Sequence, residues 1–201
     1  MSKRLERQGF DCWNWNYRSF GRQIETTVDL LGRDLSRLNR RCCGRFHLVT
    51  HSMGGIIARA VFETWKFDRM GRLVMMAPPH SGSHVARVLA PWFNWLTPSL
   101  GQLSDDKNSF VNQLPNSFLN NQIEFGLIEA KRDRVVRQGS VVISGYEDYA
   151  TVDGHHGILP WYPRTMELVE NFLASGRFAD GRVPFPVAAP PTIVQSDNVP
   201  V

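Results

Sequence analysis

The residues best placed to do chemistry are Thr50-His51-Ser52-Met53-Gly54-Gly55, between a short apolar run, Phe46-His-Leu-Val-Thr50, and the helically spaced Ile56–Trp65. A serine on a sharp strand-to-helix turn exposes its hydroxyl above a sheet edge. The backbone N–H that follows points at a developing oxyanion, and the helix N-terminus favours negative charge there. In that reading Ser52 is a nucleophile and the Met53 N–H is an oxyanion donor. So strained a turn packs backbone closely and asks for small residues, a need met by Gly54. Thr50 stands where the G-x-S-x-G pattern has its first glycine, so the match fails at that one position. The simpler role for Ser52 is a helix cap.

A serine nucleophile needs a base, and the base needs a carboxylate to orient it. On an elbow of this kind they follow in the order Ser, Asp/Glu, His, each after a later strand. Asp133 follows the apolar run Ile123–Ala130, and His155-His156 precede the last helical segment. Glu147 and Asp148, after Val141–Ser144, are an alternative carboxylate source, whereas Asp153 is too close to His156 to sit on a separate strand end. His80 and His84 are four apart, with Ser-Gly-Ser between them and no third ligand nearby, and read as loop residues rather than metal ligands. His47 and His51 are read as strand and elbow residues without a chemical role. Neither a G-x-G-x-x-G nor a P-loop pattern occurs, so no cofactor or metal is implied.

The elements that must position these residues are those of an α/β sandwich. Residues 10–17 alternate, with Trp13, Trp15 and Tyr17 on one side and Asn14 and Asn16 on the other, which predicts a strand. Ile24, Val28, Leu31, Leu35 and Leu38 step by four and three, which predicts an amphipathic helix. Buried strands are expected at 46–50, 73–77, 123–130 and 141–144, with helices over 56–65 and about 164–174. Strands alternating with helices imply parallel pairing in the central sheet. Residues 80–121 break the rhythm with Trp92, Phe93, Trp95 and three prolines, and read as an inserted lid or cap. The domain is expected to span 1–178, followed by a loosely ordered Pro-rich tail over 179–201.

Composition sets outer bounds. The 201 residues are 42% hydrophobic and 21% charged, with a net charge of +4, as in a soluble globular chain. Residues 1–45 hold ten Lys/Arg against five Asp/Glu. Arg33, Arg37, Arg40, Arg41 and Arg45 are better placed on the solvated face of the Ile24–Leu38 helix than in a nucleic-acid patch, so no nucleic-acid partner is expected. Cys12, Cys42 and Cys43 form no framework spacing and read as reduced thiols. No apolar run reaches the ~20 residues of a membrane span, and no signal peptide is visible at the start. These features lead to an expectation of a cytoplasmic protein without a transmembrane segment.

Thr-His-Ser-Met-Gly-Gly at 50–55 resembles the elbow of the α/β-hydrolase superfamily, usually written G-H-S-M-G-G. The run Leu73-Val-Met-Met-Ala-Pro-Pro-His-Ser-Gly-Ser-His-Val-Ala86 resembles the segment that leads into the lid of its lipase and esterase members. Phe172-Leu173-x-x-Gly176-Arg177-Phe178 is similar to the end of small single-domain members, so the likeness covers about residues 5–178. It implies an α/β-hydrolase fold and a serine hydrolase of carboxylic, lipid-like esters working through an acyl-enzyme. The acid in these relatives has a valine three residues on, as Asp133 has Val136. The base lies about sixteen residues before the Phe-Leu pair, which selects His156. An acyltransferase with the same residues, or a catalytically silent binding protein of the same fold, are the other outcomes.

The resemblance also implies an early strand ending in a His-Gly pair, which would supply the second oxyanion donor. No such pair precedes Phe10, and Met1 falls inside what would be the helix after that strand. Either the start lies upstream or the oxyanion loop has been lost. The first reading is preferred here, because Ser52, Asp133 and His156 persist in order.

Overall fold

The computed structural model of the chain describes residues 1–16, 24–80, 114 and 123–179. Within them the elements run α1 (Ser2–Arg7), α2 (Ile24–Arg41), β1 (Phe46–His51), α3 (Met53–Thr64), β2 (Met70–Met76), β3 (Glu124–Ala130), β4 (Asp148–Val152), a 3₁₀ turn (His156–Trp161) and α4 (Pro163–Ser175). The four strands form one sheet in the order β1-β2-β3-β4, every pair parallel. Nearly all of the segment expected to form a lid, 80–121, and residues 180–201 of the expected tail lie outside the described residues.

A parallel sheet is covered on both faces, so its central strands are apolar at almost every position. The two-residue period of a strand then sorts side chains between two cores. Leu73 and Met75 of β2 and Phe125 and Leu127 of β3 pack with α2 and α3 through Val28, Leu31, Leu35, Ile56, Ile57 and Val61. Val74, Met76, Ile128 and Ala130 face the other way, onto Leu5 of α1 and Leu168, Val169, Phe172 and Leu173 of α4. Arg4 holds α1 to α4 through a two-bond pair with Glu170, at 2.6 and 2.8 Å. The apolar stripe of α2 is buried as its spacing requires, and Arg33, Arg37, Arg40 and Arg41 are exposed on the opposite side. Helix α4 starts with a proline at its first position and ends on Gly176 at φ +78°, the usual start and stop signals.

Two expected strands are absent. Residues 10–16 carry no ladder. Trp13 is exposed, while Trp15 is fixed by its indole N–H donating to Asp34 of α2 at 3.1 Å. Alternation is required of a half-buried strand, but only backbone pairing makes one, and this segment is held by side chains instead. Val141–Ser144 is the second case. Val141 and Ile143 are buried as expected, yet the local backbone bonds are those of turns, Ser140 N–H to Arg137 and Val142 N–H to Gly139. Gly139 and Gly145 bracket the segment at φ +81° and +89°, which a strand cannot continue through. The fourth strand is instead Asp148-Tyr-Ala-Thr-Val152, paired from Gly126↔Asp148 to Ala130↔Val152.

All three cysteines are free. Among the described residues no helix is long and apolar enough to cross a membrane.

Candidate active site

Ser52, Asp133 and His156 meet at the carboxyl ends of the strands, where open α/β sheets place their sites. Ser52 is the single residue between β1 and α3, with φ 53° and ψ −126°. A non-glycine residue held in such a region is backbone strain of the kind that functional turns retain. Its surroundings impose it: the Ser52 N–H donates to Met76 O at 2.8 Å and its own carbonyl accepts from Gly55 at 2.9 Å.

The demand for a small residue falls on Gly55 rather than Gly54. A Cβ on Gly54 would meet Thr50 Cβ at 3.5 Å, an ordinary contact, whereas one on Gly55 would stand 2.7 Å from Pro78 Cβ. Thr50 fits at the pattern's first position as a buried side chain, its hydroxyl donating to Val74 O at 3.4 Å.

Asp133 and His156 arrive together because the β3–β4 pairing continues past the strand ends. Beyond Ala130↔Val152, the Lys131 N–H donates to Val152 O at 2.8 Å and the Arg132 N–H to Gly154 O at 3.0 Å. The Arg132 guanidinium grips Asp153 with bonds of 2.6 and 2.7 Å. The next residue on one side is Asp133, and two beyond Gly154 on the other is His156. Gly154 is needed there, since a Cβ would lie 2.2 Å from the Tyr162 ring, whose hydroxyl accepts the His155 N–H.

The resulting geometry is a continuous hydrogen-bonded relay. His156 Nε2 lies 2.9 Å from Ser52 Oγ, and His156 Nδ1 lies 2.7 Å from Asp133 Oδ2. A carboxylate accepts only, so Nδ1 carries the proton and Nε2 presents its lone pair to the serine hydroxyl. The other Asp133 oxygen accepts the N–H groups of Val135 and Val136, each at 2.8 Å. Val136 is itself buried in the core, which gives the valine three residues after the acid a physical reason. Burial pushes the Asp133 carboxyl up, but the bonds from His156, Val136 and Val135 outweigh it and hold it below its ordinary value.

The alternatives are placed elsewhere. Asp148 opens β4, at the opposite end of the strand from His156, and accepts the N–H groups of Tyr149 and Phe178. Glu147 pairs with Arg177, Asp153 with Arg132, and the exposed His155 turns its Nδ1 to Arg132 O at 3.2 Å. The Met53 N–H begins α3 and so has no acceptor within the helix.

Three residues were not singled out as functional in the sequence. His51 Nε2 lies 3.0 Å from the carbonyl oxygen of His156. Glu129, buried within β3, accepts the Gly139 N–H at 2.6 Å and the Tyr149 hydroxyl, tying the far end of the Asp133 loop to β4. Burial and this carboxylate push the Tyr149 hydroxyl up. A Glu between the apolar Ile128 and Ala130 of β3 was the available signal for that link; for His51 none exists in a single sequence. His80 is buried, and neither ring nitrogen has a hydrogen-bond partner among the described residues.

This fold and site define a hydrolase-type α/β sandwich. The sequence profile of the alpha/beta hydrolase family matches residues 3–196, and the chain belongs to that family. No curated protein gives a match. Among solved structures the chain is similar to an extracellular alpha/beta-hydrolase from a Paenibacillus species, at 16% identity and a TM-score of 0.54, covering 88% of this chain and 91% of the other. It is also similar to the mature lipase BlEst2 of Bacillus licheniformis, at 13% identity and 0.50, covering 70% and 72%. The phospholipase PlaB of Legionella pneumophila aligns at 19% identity and 0.47 over 64% of this chain. The chain spans about a third of that phospholipase, 34% of its length.

Proposed function

We propose that the chain is a serine hydrolase of carboxylic esters, in which Ser52 is the nucleophile, His156 the base and Asp133 the residue that fixes the base's tautomer. The observation that carries this reading is the 2.9 Å and 2.7 Å relay on a strained strand-to-helix turn. As Ser52 Oγ attacks an acyl carbonyl, its proton passes to His156 Nε2, and the Asp133 carboxylate stabilises the imidazolium that forms. The Met53 N–H, at the positive end of the twelve-residue α3, stabilises the oxyanion. Collapse returns the proton to the leaving alcohol, and water deprotonated by His156 then releases the acyl group from Ser52.

A small acyl ester with an apolar, lipid-like chain is the substrate class that fits best. The aromatic residues of the 80–121 segment (Trp92, Phe93, Trp95, Phe110, Phe118) support an apolar acyl group. That one structure of similar fold is a lipase is in keeping with it. A fluorophosphonate probe should label the folded chain, and Ser52→Ala should abolish the label. A folded wild-type chain that is not labelled would overturn the reading.

A further inference from the structure

We infer that His51, the residue immediately before the nucleophile, is a positioning residue that holds the backbone of His156 through an Nε2–H···O=C bond. The inference rests on the assignment of Ser52 and His156 made above. His51 Nε2 lies 3.0 Å from His156 O, and a carbonyl can only accept, so that nitrogen carries the proton. The two imidazole rings lie 4.9 Å apart between centroids, tilted by 42°. One turn therefore grips the base twice: Ser52 Oγ meets the tip of the ring at 2.9 Å, and His51 meets the main chain that carries the ring. Asp133 supplies a third attachment, 2.7 Å away at Nδ1.

Such a bond matters because of where His156 sits. It opens the 3₁₀ turn, after a loop, with no side-chain cap on that turn. The Asp133 and Ser52 contacts both act on the ring, and a ring held at two points can still swing with its backbone. A tie to the carbonyl removes that motion. His51 also does this without adding charge beside the imidazolium that His156 must become. Burial first, and then His156 itself, push the His51 imidazole down to about 4, so it stays neutral.

The test uses the full chain and compares two substitutions of similar shape, His51→Gln, which keeps an N–H donor, and His51→Met, which has none. With p-nitrophenyl acetate, His51→Met should lose about 10²-fold in kcat, the scale of a misplaced catalytic group. Its KM should stay within about twofold, since the tie touches no substrate, and His51→Gln should recover most of the loss. His51→Phe, which retains a ring without a donor, repeats the comparison should His51→Met fail to fold. Equal losses in the Gln and donor-free variants, or no loss in either, would overturn the inference. A second readout is independent of turnover, the low-field proton resonance of His156 Nδ1–H. It should persist in His51→Gln and broaden or shift in the donor-free variant; an unchanged resonance there overturns the inference. An unlabelled, inactive wild type would count against the hydrolase reading alone, and the resonance would still decide the role of His51.

Discussion

Asp133 divides its two oxygens between two tasks, and that division makes its role testable. One oxygen holds the His156 Nδ1 proton, while the other accepts Val135 and Val136 and keeps the carboxylate aimed. Asparagine at 133 would preserve much of this geometry, but its amide can donate to Nδ1 and so stabilise the tautomer with the proton on Nε2. Turnover of a chromogenic ester by Asp133→Asn should therefore fall by about 10⁴-fold, the scale of tautomer loss in a triad. Asp148→Asn should leave the rate within about tenfold of wild type and act on thermal stability instead, because Asp148 holds the Tyr149 and Phe178 backbone at the other end of β4. The four steps from Asp148 to Val152 place it about 13 Å from the site end of the strand. A larger rate loss in Asp148→Asn than in Asp133→Asn would show the acid to be misassigned. That Ser52, Asp133 and His156 come together was legible in the chain, because motif and order narrow the candidates and the family resemblance chooses among them. His51 was not, since a contact from a side chain to a distant carbonyl leaves no periodic or compositional trace.

At the scale of elements, the apolar runs near 46–50, 73–77 and 123–130 reported strands faithfully, because both faces of a parallel sheet are buried. The same signal misled at Val141–Ser144, where Val141 and Ile143 are buried in a turn segment bounded by two positive-φ glycines. Hydrophobicity reports burial, and ladder pairing is a separate condition. β4 passed unnoticed for the complementary reason: Asp148-Tyr-Ala-Thr-Val is mixed in character, only partly buried at most positions, and is defined by its register with Gly126–Ala130. The elbow offers a prediction at this scale. β1, α3 and the end of β2 converge at Gly55, where an added methyl meets the rigid Pro78 ring. Gly55→Ala should cost about 1–3 kcal/mol by overpacking. Gly54→Ala meets only ordinary contact and should gain up to about 1 kcal/mol from the helical preference of alanine. Urea denaturation of both variants measures the difference, and a larger cost at Gly54 would contradict the packing described.

At the scale of the whole molecule, the fold buries more ionisable chemistry than its relay requires. His47, His51 and His80 are all held below the ordinary imidazole value, with burial the first cause in each, and His80 is pushed down to about 3 with the Arg59 guanidinium adding to the effect. The sign of the consequence follows from proton counting. Between the unfolded value near 6.5 and the folded value, the unfolded chain binds protons that the folded chain refuses, so stability falls as pH drops through that window. The slope is at most about 1.4 kcal/mol per pH unit for each histidine. Asp133, held below its ordinary value, adds stability above about pH 4 and loses it only below that, so its contribution does not overlap the upper part of the window. His80 isolates the effect, because its ring nitrogens have no hydrogen-bond partner among the described residues. His80→Leu should therefore be at least as stable as wild type at pH 7.5, with a gain on the order of 1 kcal/mol from removing a buried unpaired polar ring. The gain should widen in urea melts at pH 6 and again at pH 5. A stability difference that stays constant from pH 7.5 to 5 would mean that His80 takes up its proton equally in both states, and that burial at the end of β2 does not exclude the charged form.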